Sequence, residues 1–137
     1  MNRLDPSELV AFSRRFRFVG GRLRSVKTRY QGESLTVEVV LVVRTALRNL
    51  SDEVKPVRLR FRLVGVEEFR FQKRPTIPGG RVTDARLGYF QGQFFVNFDA
   101  FALEPGESPK VHDFRASDAY VAGQQLWWEE VEKRTEE

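Results

Sequence analysis

The sequence contains no cysteine and only one histidine. The first absence excludes disulfides, thiolate metal sites and cysteine nucleophiles together. The second excludes a histidine-rich metal cage and any pair of histidines sharing a proton. Long apolar runs are missing as well: none approaches the ~20 residues that a membrane helix needs. Met1-Asn2-Arg3-Leu4-Asp5 does not lead into the apolar core of a signal peptide. The expectation is therefore a cytoplasmic chain with no membrane partner. Repeats of 20–50 residues and low-complexity segments are also missing, which argues against solenoids and linker-rich arrays.

What is present suits one globular unit. The 137 residues are 41% hydrophobic and 12% aromatic, enough bulky side chains for a core. One domain over 1–137 is expected, with Glu136 and Glu137 fraying at the end. Charge is unevenly spread along the chain, although the net value is only +4. Residues 1–29 hold eight basic and two acidic side chains, whereas 110–137 is net acidic. The asymmetry fits either an anionic partner for the front of the chain or two ends that neutralise each other across the fold.

Leu4-Asp5-Pro6-Ser7-Glu8-Leu9 is a helix start. Asp5 can cap free N–H groups, Pro6 at the first helical position costs no intrahelical bond, and Glu8 can complete a capping box. Leu9, Phe12 and Phe16 follow at i, i+3 and i+7, and Arg14 and Arg15 fit a last helical turn. From Phe16 the period changes to two, interrupted at Gly20-Gly21 by a bulge or tight turn. Leu35, Val37, Val39, Leu41 and Val43 form an inward strand face. Val57, Leu59, Phe61 and Leu63 do the same, alternating with Arg58, Arg60 and Arg62. Gly65 marks a turn or bulge before Phe69 and Phe71.

Further on, Pro75, Pro78, Gly79 and Gly80 predict an exposed loop. Segments 82–90 and 93–101 read as a hairpin across Gln91-Gly92. A short strand is expected over 111–114. A C-terminal helix is expected from 119 or 124 to 133, with Tyr120, Trp127 and Val131 on its packed face and Trp128 at the rim. The predicted class is mainly β with some helix (α+β). It is a curved antiparallel sheet of about six strands, forming a partly closed barrel or sandwich flanked by N- and C-terminal helices.

Chemistry is harder to find. His112 beside Asp113 would point to the opposite face of a strand, and no nucleophile elbow, P-loop, EF-hand or His-Glu-x-x-His spacing occurs. Asp84, Asp99 and Glu104 could converge only through folding, and Pro78-Gly79-Gly80-Arg81 lacks the helix and lysine of a phosphate loop. No catalytic residue, metal ligand or cofactor is assigned, and the expectation is a protein that is not an enzyme. The binding candidates are Arg58, Arg60 and Arg62, about 6.6–6.8 Å apart along one strand face. Arg22 and Arg24 join them from another strand, with Trp128 as an aromatic anchor. Such a face can bind nucleic acid, with Tyr30, Phe90 or Phe95 as stacking surfaces. It can equally be held in cross-strand pairs by Glu38, Glu67 and Glu68.

The pattern Val57-x-Leu59-x-Phe61 followed by Gly65-Val66-x-x-Phe69-x-Phe71 resembles that of small bacterial β-rich proteins. These include uncharacterised domains and immunity-type proteins that neutralise a cognate toxin. The resemblance implies a non-enzymatic interaction module whose partner is another protein. It carries over no binding residue, because the matching positions belong to the core. The alternative partner is nucleic acid, bound through the arginine-rich strand face.

Overall fold

Asp5-Pro6-Ser7-Glu8 starts the first helical turn as its sequence predicts. The Asp5 carboxylate accepts from the Ser7 N–H at 3.0 Å, and the Asp5 N–H donates to Glu8 Oε1 at 2.8 Å. This completes the capping box. The turn is a single 3₁₀ turn (Pro6–Glu8) that passes into a short helix α1 (Leu9–Ser13). Leu4 and Leu9 are both buried, as is Phe12 one turn on. The computed structural model describes residues 1–46, 54–72, 85–98 and 110–131. The expected loops at 49–52, 75–80 and 104–109 therefore lie outside the described residues, as do Asp84, Asp99 and Glu104.

Among the described residues seven strands make one antiparallel sheet: β1 (Asn2–Arg3), β2 (Phe16–Gln31), β3 (Ser34–Thr45), β4 (Pro56–Phe71), β5 (Arg86–Phe90), β6 (Gln93–Asn97) and β7 (Ala119–Val131). Their order is β2-β3-β4-β7-β6-β5, with β1 beside the far half of β7. The predicted predominance of antiparallel strands holds. The sheet is open rather than closed, since β2 and β5 end the order without pairing to each other. It nevertheless curls: α1 touches β5 at one end of the order while Phe12 packs on Phe61 in β4, ring centroids 5.9 Å apart.

Two local devices set the register. The β5–β6 connection is a two-residue turn in which Gln91 (φ 52°) and Gly92 (φ 79°) both take positive φ, as a type I′ hairpin turn requires. Gly65 (φ 67°) precedes the register shift between Val66 and Glu68 in β4. A further shift between Arg17 and Arg22 coincides with Gly20-Gly21.

The C-terminal region corrects the sequence reading. Residues 119–131 form strand β7 instead of a helix, paired with β4 from Arg58↔Val131 to Phe71↔Ala119. On its other edge β7 pairs with β6 and then with β1. The spacing of Tyr120, Trp127 and Val131 imitates a helical stripe, but a helix here would leave the backbone groups of three strands without partners. The short strand expected over 111–114 is likewise helix α2 (Val111–Arg115). Its Asp113 carboxylate accepts from the Lys110 N–H at 2.7 Å and fixes the first turn.

The inward side of the curl is apolar and almost fully sequestered. Val37, Val39, Leu41, Leu59, Phe61, Leu63 and Leu126 have no exposed surface. Across the sheet from them, α2 covers a second, smaller cluster of Phe95, Phe114, Tyr120 and Ala122. Phe61 joins the two sides of the main core, packing on Phe12, Phe18 and Phe98. Phe61→Ala should lower unfolding free energy by about 3–5 kcal/mol. Val19→Ala, at a position 61% exposed, should change it by less than about 0.5 kcal/mol. Urea titration of both variants checks the pair.

Candidate functional site

Strand parity gives the sheet one buried and one open face over β2, β3, β4 and the far half of β7. In the antiparallel pairs, directly opposed residues share a face. Cross-strand rows on the open face therefore read Arg22–Val42–Arg58–Val131, Ser25–Val40–Arg60–Glu129, and Lys27–Glu38–Arg62–Trp127. A fourth row is Arg29–Thr36–Val64–Gln125. Arg58, Arg60 and Arg62 thus project together, as their alternation predicts. Arg22 joins them from β2. Arg24 is the extra residue of a bulge between Leu23↔Leu41 and Ser25↔Val40, and lines a groove with Val42, Lys55, Arg58 and Val131.

Glu129 and Glu38 on this face are engaged. Arg60 Nη1 donates to Glu129 Oε1 at 2.7 Å, and Arg62 Nε donates to Glu38 Oε1 at 2.6 Å. Of the three glutamates expected to make cross-strand pairs with these arginines, Glu38 does so. Glu67 accepts from Gln93 Nε2 at 2.8 Å, and Glu68 serves Arg115. Such half-exposed pairs contribute no more than about 1 kcal/mol each. Their larger effect is to neutralise part of β4. Among the described residues, no ion pair joins Arg22, Arg24, Lys27 or Arg29, so the uncompensated charge lies on β2. The sequence reading missed Lys27 and Arg29, although both continue the alternation in Val26-Lys27-Thr28-Arg29-Tyr30.

Trp128 does not stand with the arginines. It opposes Phe61 on the core face, 4.9 Å from the Phe12 ring and 6.1 Å from Phe16. The Arg15 guanidinium covers it at 4.9 Å, a cation–π contact in place of the expected helix-end interaction. Among the described residues the aromatic residue on the open face is Trp127, opposite Arg62, with its indole N–H donated to Gln125 at 3.0 Å. One residue of parity exchanges the two tryptophans. Of the other stacking candidates, Phe95 is buried beneath α2, and Phe90 packs 5.6 Å from Phe114. Tyr30 is 71% exposed, but on the side of β2 continuous with the core.

A second polar cluster ties α2 to the sheet. Arg115 makes two hydrogen bonds to Glu68, at 3.0 and 2.9 Å, and the Tyr120 hydroxyl donates to the same carboxylate at 3.2 Å. The Arg115 hydrogen bonds hold the Glu68 carboxyl below the ordinary glutamate value. Burial, followed by the Glu68 charge, raises the Tyr120 phenol above its ordinary value. His112, also on α2, is largely exposed, its Nε2 3.4 Å from Asp113 Oδ1. Among the described residues, no group of three His, Asp or Glu side chains is placed to hold a metal ion. No helix among them is long and apolar enough to cross a membrane.

Comparison with protein-family models, curated proteins and solved structures finds no match for this chain.

A carboxylate with a lowered folded-state pKa stabilises above its unfolded value and loses that contribution as pH falls through the folded one. The Arg115–Glu68 clamp should therefore hold at pH 6 and weaken as pH drops below the ordinary glutamate value of 4.5. Amide-exchange protection factors in α2, taken relative to the intrinsic rate at each pH, should fall in that window. Glu68→Gln should show low protection factors at both ends of the range, without their pH dependence.

Proposed function

We propose that this protein is a non-enzymatic interaction module that binds an acidic surface of another protein through the open sheet face. The observation that carries this reading is the separation of charge on that face. Glu129 and Glu38 are taken up by Arg60 and Arg62, while among the described residues no ion pair joins Arg22, Arg24, Lys27 or Arg29. A cationic strip beside Val40, Val42 and Trp127 offers both steering charge and apolar contact, the combination that protein interfaces use. The immunity-type role implied by the sequence resemblance is one form of this reading, as is a cytoplasmic location.

Nucleic acid is the second reading, favoured by the regular two-residue spacing of Arg58, Arg60 and Arg62. Phosphates would have to displace Glu38 and Glu129, and the face supplies one aromatic platform, Trp127, instead of a series. Binding to poly-L-glutamate and to single-stranded DNA and RNA, at about 50 and 200 mM salt, separates the two. The protein should bind poly-L-glutamate. The combined Arg22→Ala, Arg24→Ala, Lys27→Ala and Arg29→Ala variant should bind it at least about tenfold more weakly, a loss of ~1.4 kcal/mol. Salt-sensitive micromolar binding to DNA or RNA, abolished by Arg58→Ala, Arg60→Ala and Arg62→Ala together, would replace the protein-partner reading.

A further inference from the structure

We infer that the partner engages β2 by strand addition: an extended segment alternating acidic and apolar side chains pairs with the outer edge at Ser25–Gln31. This rests on the acidic-partner reading and specifies its geometry. β2 pairs with β3 along one edge, and among the described residues no strand occupies the other. From Ser25 to Gln31 the register with β3 runs without a shift, from Ser25↔Val40 to Gln31↔Ser34. In an antiparallel ladder alternate residues turn their N–H and C=O groups away from the paired neighbour. This stretch therefore presents a regular row of donors and acceptors to an incoming strand.

The side chains of the same stretch define what that strand carries. Val26 and Tyr30 lie opposite Val39 and Leu35, on the core side, yet are 37% and 71% exposed. Their partners across the strand are buried, and among the described residues no outer neighbour covers them. Lys27 and Arg29 lie on the opposite side, across from Glu38 and Thr36, and Glu38 is already bonded to Arg62. An added strand would place every second side chain over Val26 and Tyr30 and the intervening ones beside Lys27 and Arg29. Apolar residues satisfy the first set and acidic residues the second. A second copy of this chain fits poorly, because β2-to-β2 pairing would bring two rows of cations together. The charges that discourage self-pairing also select an acidic strand.

The probe is an acetylated and amidated heptapeptide of alternating glutamate and valine, EVEVEVE. It is compared with its lysine analogue, an analogue N-methylated at alternate amides, and poly-L-glutamate. Binding is followed by NMR amide shifts and hydrogen exchange in the full chain. EVEVEVE should bind with slowed exchange at alternate amides of 25–31. The N-methylated peptide should bind at least about tenfold more weakly, because N-methylation removes its backbone donors. Lys27→Glu with Arg29→Glu should exchange the preference from the glutamate to the lysine peptide, with an unchanged circular-dichroism spectrum.

Poly-L-glutamate binding with no effect of N-methylation would overturn strand addition and leave the acidic-partner reading standing. Failure of both EVEVEVE and poly-L-glutamate to bind would overturn both. A dimer in analytical ultracentrifugation that protects the 25–31 amides would also overturn the inference, by showing that a second copy occupies the edge.

Discussion

Strand β7 is the constraint on which the rest of the structure depends. It pairs with β4 along nearly its whole length and shares its other edge between β6 and β1. Leu4 N–H adds a bond to Leu126 C=O at 2.8 Å, anchoring the N-terminal segment to the same strand. Without β7 the β2-β3-β4 meander and the β5–β6 hairpin would have no common sheet. Its alternation also separates the molecule's chemistry. Leu126 and Trp128 turn towards the phenylalanine core, while Trp127 and Glu129 turn towards the arginines of β4. The buried face and the candidate interface are two consequences of one pairing register.

Charge on the open face is then a matter of which strand can reach a carboxylate. β4 lies between β3 and β7, each of which supplies one glutamate, so Arg60 and Arg62 are compensated from opposite sides. Among the described residues β2 has a strand neighbour, β3, on one side alone, and the glutamate that β3 contributes is turned to β4. The uncompensated cations at the edge follow from this geometry. Edge strands are commonly protected from promiscuous pairing by such charges. The same protection becomes selectivity when the incoming strand is acidic.

Much of this architecture is legible in the sequence because strand and cap signals are local. The Asp5-Pro6-Ser7-Glu8 cap, the two alternating runs in β3 and β4, the Gln91-Gly92 turn and the bulge glycines each depend on a few neighbouring residues. The segment 119–131 is not legible in the same way. Tyr120, Trp127 and Val131 fit a helical stripe, and only the distant edges of β4, β6 and β1 decide against it. That error carries into the site, since a helix brings Trp127 inward and a strand brings Trp128 inward. The arginine alternation on β4 is visible in the chain, whereas its neutralisation by Glu129 depends on the same long-range pairing. The α2 clamp is hidden for a related reason: Glu68 and Arg115 lie 47 positions apart.

The most direct test of this account is an NMR measurement of contacts made by the two tryptophans. β7 as a sheet strand predicts cross-strand nuclear Overhauser effects between Phe61 and Trp128 and between Arg62 and Trp127. It also predicts contact of the Phe12 ring with Trp128 and not with Trp127. Sequential i, i+3 contacts through 119–131, with Trp127 against Phe12, would show a helix and contradict both the fold and the interface built on it.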